Sequence, residues 1–133
     1  MGLPRVLLVD DHKMFLEGLA SILKTHCEMV GMAVNGEDAV AAAQGLQPDV
    51  IVMDVSMPVL NGLEATRRLQ ELKTQSKIIL VSMHTDPAYA AAALEAGASG
   101  FVLKTHAASE IIFAIQEALQ GRTHVSRRLS TAE

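Results

Sequence analysis

The sequence predicts a doubly wound α/β fold, in which helices cover both faces of one parallel β-sheet. Short runs of valine, isoleucine and leucine alternate along the 133 residues with segments whose apolar residues recur at helical spacing. Three of the short runs are too continuously apolar to have a face in water, which is typical of strands buried on both sides. Strict alternation favours parallel strands, because right-handed helical crossovers return each strand in the same direction.

Five strands and five helices are predicted in alternation. The predicted strands are residues 5–9, 29–34, 50–53, 78–82 and 100–103. The first helix is indicated by an apolar stripe that includes Leu19 and Leu23, and the last by a stripe that includes Ile111, Ile115 and Leu119. Each stripe is suited to covering one face of the sheet.

Residues with strong positional preferences mark the ends of the other helices. Asn35 and Asp86 are predicted to cap the second and fourth helices, and Thr105 is predicted to cap the fifth. Asn61 lies in a turn before a third helix over residues 63–72, and Gly97 ends a helix over residues 88–96.

Composition limits the class of protein. Half of the residues are apolar, but the apolar runs are far too short to span a membrane, so we expect a soluble protein without membrane contact. A formal net charge of -4 makes the chain a poor non-specific binder of nucleic acid. The single cysteine, Cys27, rules out an internal disulfide, and the N-terminus lacks the pattern of a signal peptide. These features predict a single domain in the cytoplasm.

Five chemically active side chains follow predicted strands. Asp10 and Asp11 follow the first strand, Asp54 the third, Ser82 ends the fourth, and Lys104 follows the fifth. In doubly wound sheets, ligands bind beyond the carboxyl ends of the strands, so we expect these residues to share one rim. An isolated pair of aspartates after a strand would be read as a helix cap, but the simultaneous presence of the other three favours a site.

The residue types at this rim predict metal-assisted phosphate chemistry. Clustered carboxylates repel each other, and a bound divalent cation removes that cost. Oxygen ligands favour Mg²⁺ or Mn²⁺ over Zn²⁺. A metal together with Lys104 can neutralise phosphoryl oxygens, and an aspartate can act as nucleophile. The central position of Asp54 favours it for that role, and leaves Asp10 and Asp11 to hold the metal.

Four motifs resemble the receiver domain of two-component response regulators: VDD, VIVMDVSMPVLNG, VSMH and GASGFVLK. They occur in the order and at the spacing of that family, from residue 5 to about residue 121. The resemblance implies a flavodoxin-like (βα)5 fold with a five-stranded sheet in the order 2-1-3-4-5. It also implies a receiver domain over residues 1–121 and the start of a linker over residues 122–133.

The resemblance assigns a role to each residue of the rim. Asp54 would accept a phosphoryl group from the phosphohistidine of a sensor histidine kinase. Asp11, Asp54 and the backbone carbonyl of Ser56 would ligate Mg²⁺, while Asp10 would act through a metal-bound water. Lys104 would pair with a phosphoryl oxygen, and Ser82 would hydrogen-bond to it. The domain would assist its own phosphorylation as a signalling module and would not be an enzyme.

The resemblance also implies a switch and two tuning positions. Ser82, drawn toward the phosphoryl group, would vacate space into which the ring of Phe101 turns. Because Phe101 has no hydroxyl group, its coupling would rest on packing alone. Ser56 and His84, each two residues beyond a motif residue, would set the lifetime of the phosphoaspartate.

The last third of the chain resembles receivers of the NarL/FixJ type, which precede a DNA-binding helix-turn-helix domain. We therefore expect a transcription regulator whose C-terminal domain is missing from this chain, with DNA contacted only through that domain. A homodimer through the fourth helix, fifth strand and fifth helix is also expected.

The alternative to a DNA-binding regulator is a free-standing receiver. A haloacid-dehalogenase-like phosphatase is less favoured, because it needs a second acid where Ser56 stands. A flavodoxin-like electron carrier would need a hydroxyl-rich loop in place of Asp10 and Asp11.

Overall fold

A computed structural model describes residues 2–126 of the chain. The strands are β1 (Arg5–Val9), β2 (Glu28–Ala33), β3 (Val50–Asp54), β4 (Lys77–Ser82), β5 (Gly100–Leu103) and β6 (His124–Val125). The helices are α1 (Lys13–Leu23), α2 (Gly36–Leu46), α3 (Gly62–Glu71), α4 (Pro87–Ala96) and α5 (Ala107–Leu119). The predicted alternation of strand and helix and the flavodoxin-like α/β architecture are therefore confirmed.

The described residues form one parallel sheet with the strand order β2-β1-β3-β4-β5-β6. The predicted order of the first five strands is correct, but the prediction of a five-stranded sheet is wrong because β6 adds a sixth strand. The central strand β3 is paired on both sides, with Val52 opposite Leu8 on β1 and Ile79 on β4. This position brings the end of β3 to the middle of the rim.

β6 was not predicted because it contains only two residues, which are too few to show an alternation of apolar and polar side chains. After α5, Gly121 adopts a φ of 81° that turns the chain back toward the sheet. His124 and Val125 then pair with Gly100 and Phe101 of β5. These two residues fall in the range 122–133 that we predicted to begin a linker, and residues 127–133 lie outside the described part of the chain.

The core consists of two apolar layers, one on each face of the sheet. Alternate residues of a strand point to opposite faces, so Leu7 of β1 packs under α2, α3 and α4, and Leu8 packs under α1 and α5. In the same way, Leu80 and Phe101 belong to the first layer and Val81 to the second. Both faces of the sheet are thereby covered, as the continuous apolar runs predict.

The helix caps follow the prediction at two of three positions. Asn35 accepts a hydrogen bond from the backbone N–H of Asp38 at 2.8 Å, and Asp86 accepts one from Ala88 at 2.9 Å. The prediction that Thr105 caps the fifth helix is wrong. The residues Lys104–His106 form a 3₁₀ turn, so α5 begins only at Ala107. Within residues 2–126, none of the helices is both long enough and apolar enough to cross a membrane.

Candidate functional site

The predicted rim residues lie together at the carboxyl ends of β1, β3, β4 and β5. Asp10, Asp54 and Ser82 are almost completely buried, and the side chain of Lys104 is only 9% exposed. Asp11 is the exception, with a side chain that is 36% exposed to solvent. The fold thus places three charged groups in a poorly hydrated pocket, with Asp11 at its mouth.

Lys104 reaches back across the rim to the carboxylates. Its Nζ atom lies 2.9 Å from Oδ2 of Asp10 and 3.6 Å from Oδ2 of Asp54. The ammonium group also lies 4.6 Å from the centroid of the Phe15 ring, a cation–π distance. One buried positive charge is therefore shared between two buried carboxylates, and it neutralises only part of their charge.

The surroundings of Asp54 weaken its acidity. Burial raises the pKa of Asp54 from 3.8 to about 6, and the neighbouring charge of Asp10 acts in the same direction. Lys104 and a hydrogen bond from the backbone at Ser56 lower this pKa, while the charge of Asp11 is the smallest contribution and raises it. The net effect is a carboxylate whose charge is poorly compensated within the protein itself.

The same acids fit a divalent cation. Asp10, Asp11, His12 and Asp54 each offer a ligand atom, and these atoms lie within 4.8 Å of one another. Although Asp10 Oδ2 lies near Lys104, none of the donors in residues 2–126 meets it with hydrogen-bond geometry, so this buried oxygen keeps accepting capacity. A buried oxygen without a hydrogen bond, in a set of carboxylates, suits a hard cation such as Mg²⁺.

Sequence reasoning did not assign His12 to the site. Its backbone N–H donates to Oδ1 of Asp10 at 2.8 Å, and its ring Nδ1 lies 3.3 Å from the same oxygen and 3.6 Å from Oδ1 of Asp11. The ring Nδ1 is also 3.3 Å from Nζ of Lys104. The only sequence signal was its position directly after the two aspartates, and its ring is largely exposed to solvent.

The loop after β3 is held close against the end of that strand. The N–H of Val55 donates to the carbonyl of Val81, and the N–H of Gly62 donates to the carbonyl of Val55. A Cβ atom at Gly62 would collide with the backbone carbonyl of Asp54, which explains a glycine at this position. The loop that carries Ser56 is therefore anchored at both ends, and Ser56 lines an open depression beside Asp11.

The two predicted switch residues differ in their surroundings. The hydroxyl oxygen of Ser82 accepts a hydrogen bond from the backbone N–H of His84 at 2.9 Å. The ring of Phe101 is completely buried in the layer under α4, together with Ala90 and Ala93. The ring of His84 stacks on Tyr89, with 4.1 Å between centroids and 7° between planes, and sequence reasoning missed this partner.

The fold and the rim define a class of protein: a doubly wound domain with a buried aspartate, a cluster of acids and a lysine at the carboxyl edge of its sheet. The model of the response regulator receiver domain family matches residues 6–116. The chain therefore belongs to the family of response regulator receiver domains, which are signalling domains of two-component systems rather than conventional enzymes. Domains of this family generally bind Mg²⁺ at an acidic pocket, and Asp10, Asp11 and Asp54 form such a cluster here.

Curated relatives are transcriptional response regulators. The chain is 36% identical over 128 residues to the transcriptional regulatory protein DegU of Brevibacillus brevis, covering 95% of this chain and 54% of DegU. It is 38% identical over 123 residues to the response regulator UvrY of Escherichia coli K12, covering 91% of this chain and 56% of UvrY. The chain thus spans little more than half the length of these relatives.

A solved structure shows the same fold. The crystal structure of a two-component response regulator of the LuxR family from Aurantimonas sp. SI85-9A1 superimposes with a TM-score of 0.92 at 33% identity. The match covers 97% of this chain and 94% of that one. The similarity extends over nearly the whole chain, and with the sequence relatives it confirms the resemblance to NarL/FixJ-type receivers.

Proposed function

We propose that Asp54 is the phosphoacceptor of this receiver domain and that the donor is the phosphohistidine of a sensor histidine kinase. A carboxylate oxygen of Asp54 forms the new P–O bond while the P–N bond breaks. The electron pair of that bond goes to the imidazole nitrogen, which takes up a proton. The observation that carries the proposal is the position of Asp54, buried at the end of the central strand and 3.6 Å from Lys104.

The reaction depends on Mg²⁺ or Mn²⁺ held by this chain's acids. Asp11, Asp54 and the backbone carbonyl of Ser56 are the proposed direct ligands, and Asp10 is proposed to act through a metal-bound water. When bound, the cation supplies positive charge to the phosphoryl oxygens. Lys104 supplies a second positive charge to the phosphoryl oxygens, and Ser82 donates a hydrogen bond to one of them.

Phosphorylation is proposed to change the surface formed by α4, β5 and α5 and to promote a homodimer there, with Ser82 and Phe101 as the switch residues. Ser56 and His84, which line the depression at the mouth of the site, set the lifetime of the phosphoaspartate.

The curated relatives favour an output in transcription, with DNA bound by a C-terminal helix-turn-helix domain. Residues 1–121 would be the receiver and residues 122–133 the start of a linker, of which His124 and Val125 pair with β5 as the short strand β6, in a cytoplasmic protein. A free-standing receiver that acts through protein contacts is the alternative, and the downstream gene sequence separates the two.

The test is incubation with a small phosphodonor such as acetyl phosphate, followed by intact mass measurement. We expect an adduct with Mg²⁺, none with a chelator, and none in Asp54→Asn. Asp38→Asn, which changes an exposed aspartate on α2, serves as the matched control and should be phosphorylated like the parent. A mass adduct that persists undiminished in Asp54→Asn would overturn the assignment of the nucleophile.

A further inference from the structure

A chain of contacts leads from the site to the start of α4. The Ser82 hydroxyl oxygen accepts a hydrogen bond from the backbone N–H of His84, and the His84 ring stacks on the ring of Tyr89. Tyr89 belongs to the first turn of α4, where its N–H donates to the carbonyl of Asp86 at 3.0 Å. A residue next to the phosphoryl group is thus connected to a helix by one hydrogen bond and one ring stack.

A second connection from Ser82 to α4 runs through Phe101, but the ring of Phe101 is already turned inward in this structure. The Phe101 ring is already completely buried and packs under α4 while Ser82 is bonded to His84. An inward turn of this ring has no further apolar area to gain, and the ring carries no hydroxyl group that could bond to a newly exposed partner. Phe101 can therefore act as a switch residue only by rearranging within the buried layer, and a second coupling element with two arrangements is needed at the surface of the site.

We propose that Tyr89 is that element: a positioning residue that transmits the movement of Ser82 to α4 through the stacked ring of His84. This inference rests on the proposed phosphorylation of Asp54. When the Ser82 hydroxyl group turns to donate to a phosphoryl oxygen, its oxygen leaves the N–H of His84. The 82–84 turn then loses the bond that fixes it, and the His84 ring leaves Tyr89.

The stack of His84 on Tyr89 lies beside the site and is partly exposed, so a change at the site can reach it and a partner protein can contact it. His84 and Tyr89 line the same depression as Asp11 and Ser56, so the stack lies beside the mouth of the site. Tyr89 is 36% exposed, whereas the buried residues of α4 are alanines: Ala90, Ala93 and Ala96. An alanine face offers small side chains that let the helix shift with few steric barriers, so a change in the stack can move the first turn of α4.

The sequence provides an internal reporter for this movement. The chain contains one tyrosine, Tyr89, and no tryptophan, so its tyrosine emission comes from the stacked ring alone. An imidazole stacked on a phenol ring quenches its emission. We expect emission to rise when Asp54 is phosphorylated, toward the level of unphosphorylated His84→Ala, and the near-ultraviolet circular dichroism of Tyr89 to change with it.

The experiment measures tyrosine emission and intact mass on the same samples, with acetyl phosphate and Mg²⁺, so that emission is compared at equal phosphorylated fraction. His84→Ala and His84→Asn should lose the rise. His26→Ala, which removes an exposed histidine between α1 and β2, should keep it. A phosphorylated parent with unchanged emission and dichroism, or an equal rise in both His84 variants, overturns the proposed coupling and leaves the phosphoacceptor intact. Absence of the mass adduct on Asp54 overturns both, and the mass measurement identifies that case.

Discussion

Replacing Asp54 by asparagine removes a negative charge that the metal-free protein holds at a thermodynamic cost. The folded protein raises the pKa of this carboxyl group from 3.8 to about 6, chiefly because the group is buried and faces Asp10. The folded state therefore binds the proton more tightly than the unfolded state does. By linkage, stability falls as the pH rises through this interval, and the full cost is present above about pH 7.

The size of the effect follows from the two pKa values. About two pH units, at about 1.4 kcal/mol for each, give a cost of roughly 3 kcal/mol at neutral pH. Asparagine keeps the shape of the side chain without the charge. Asp54→Asn should thus be more stable than the parent by up to about 3 kcal/mol without metal, which corresponds to a midpoint about 10 °C higher for a domain of this size.

Urea unfolding, followed by far-ultraviolet circular dichroism with a chelator present, measures the difference directly. The gain in Asp54→Asn should be largest near pH 7.5, should be mostly lost by about pH 4, and should approach zero near pH 3, below both pKa values, where the carboxyl group of the parent is largely protonated in both states. Glu71→Gln, an acid-to-amide change on the exposed end of α3, controls for the loss of one charge and should leave stability nearly unchanged. Mg²⁺ should narrow the gap, because binding to the folded parent stabilises it by mass action.

Equal stability of parent and Asp54→Asn at pH 7.5 without metal would refute this reasoning. It would mean that Lys104, at 3.6 Å, compensates the Asp54 charge completely. A gain that is the same at pH 4 and pH 7.5 would also refute it, since a difference without pH dependence cannot come from the ionisation of Asp54.

Three further predictions concern the frame around the site. Gly62→Ala should lower the free energy of unfolding by about 1–3 kcal/mol, because its Cβ atom would meet the backbone at the end of β3; Gly45→Ala, in open space, should not. Urea unfolding measures both variants. Ser126→Ala should cost about 1–3 kcal/mol in the same assay, because the buried serine oxygen is the acceptor for the last N–H of β5. Although burial raises the pKa of Glu110, hydrogen bonds from His124 and Ser126 hold it below its usual value of 4.5. Its contribution to stability is therefore complete above that value and is lost as the pH falls through the lowered pKa, and Glu110→Gln should remove this part of the acid dependence.

The sequence was sufficient for the first five strands because four of them, β1, β3, β4 and β5, are apolar runs buried on both faces, and because helical segments separate all five. The same order placed Asp10, Asp54 and Lys104 at one rim, since parallel strands end at the same edge. β6 could not be predicted, because two residues carry no period and Ser126, which anchors the segment, is bonded to a residue 23 positions earlier. The start of α5 was misplaced by a 3₁₀ turn, because a tighter helical turn of only three residues leaves no pattern of its own in the sequence.

The side-chain partners at the site depend on geometry that spacing does not determine. His12 and His84 both follow motif residues closely, and both are exposed enough to be interpreted as surface histidines. Only the folded chain shows that the His12 ring lies between Lys104 and two aspartates, and that His84 is stacked on Tyr89. A stack between residues five positions apart has no signature in a pattern of apolar residues.

The charges at the rim explain why a divalent cation and a phosphoryl group belong to the same site. Asp10, Asp11 and Asp54 carry three negative charges when ionised, and Lys104 returns one, so the site has a deficit of two positive charges. A divalent cation fills this deficit, and its charge also lowers the pKa of Asp54 toward the ionised form that can attack phosphorus. In the proposed reaction, phosphorylation of Asp54 would replace the carboxylate charge with the larger charge of a phosphoryl group, and Lys104 would turn from Asp10 toward the new oxygens. On this proposal, the 2.9 Å ion pair between Lys104 and Asp10 is the interaction of the resting site that phosphorylation would weaken, at the same edge where Ser82 would give up its bond to His84.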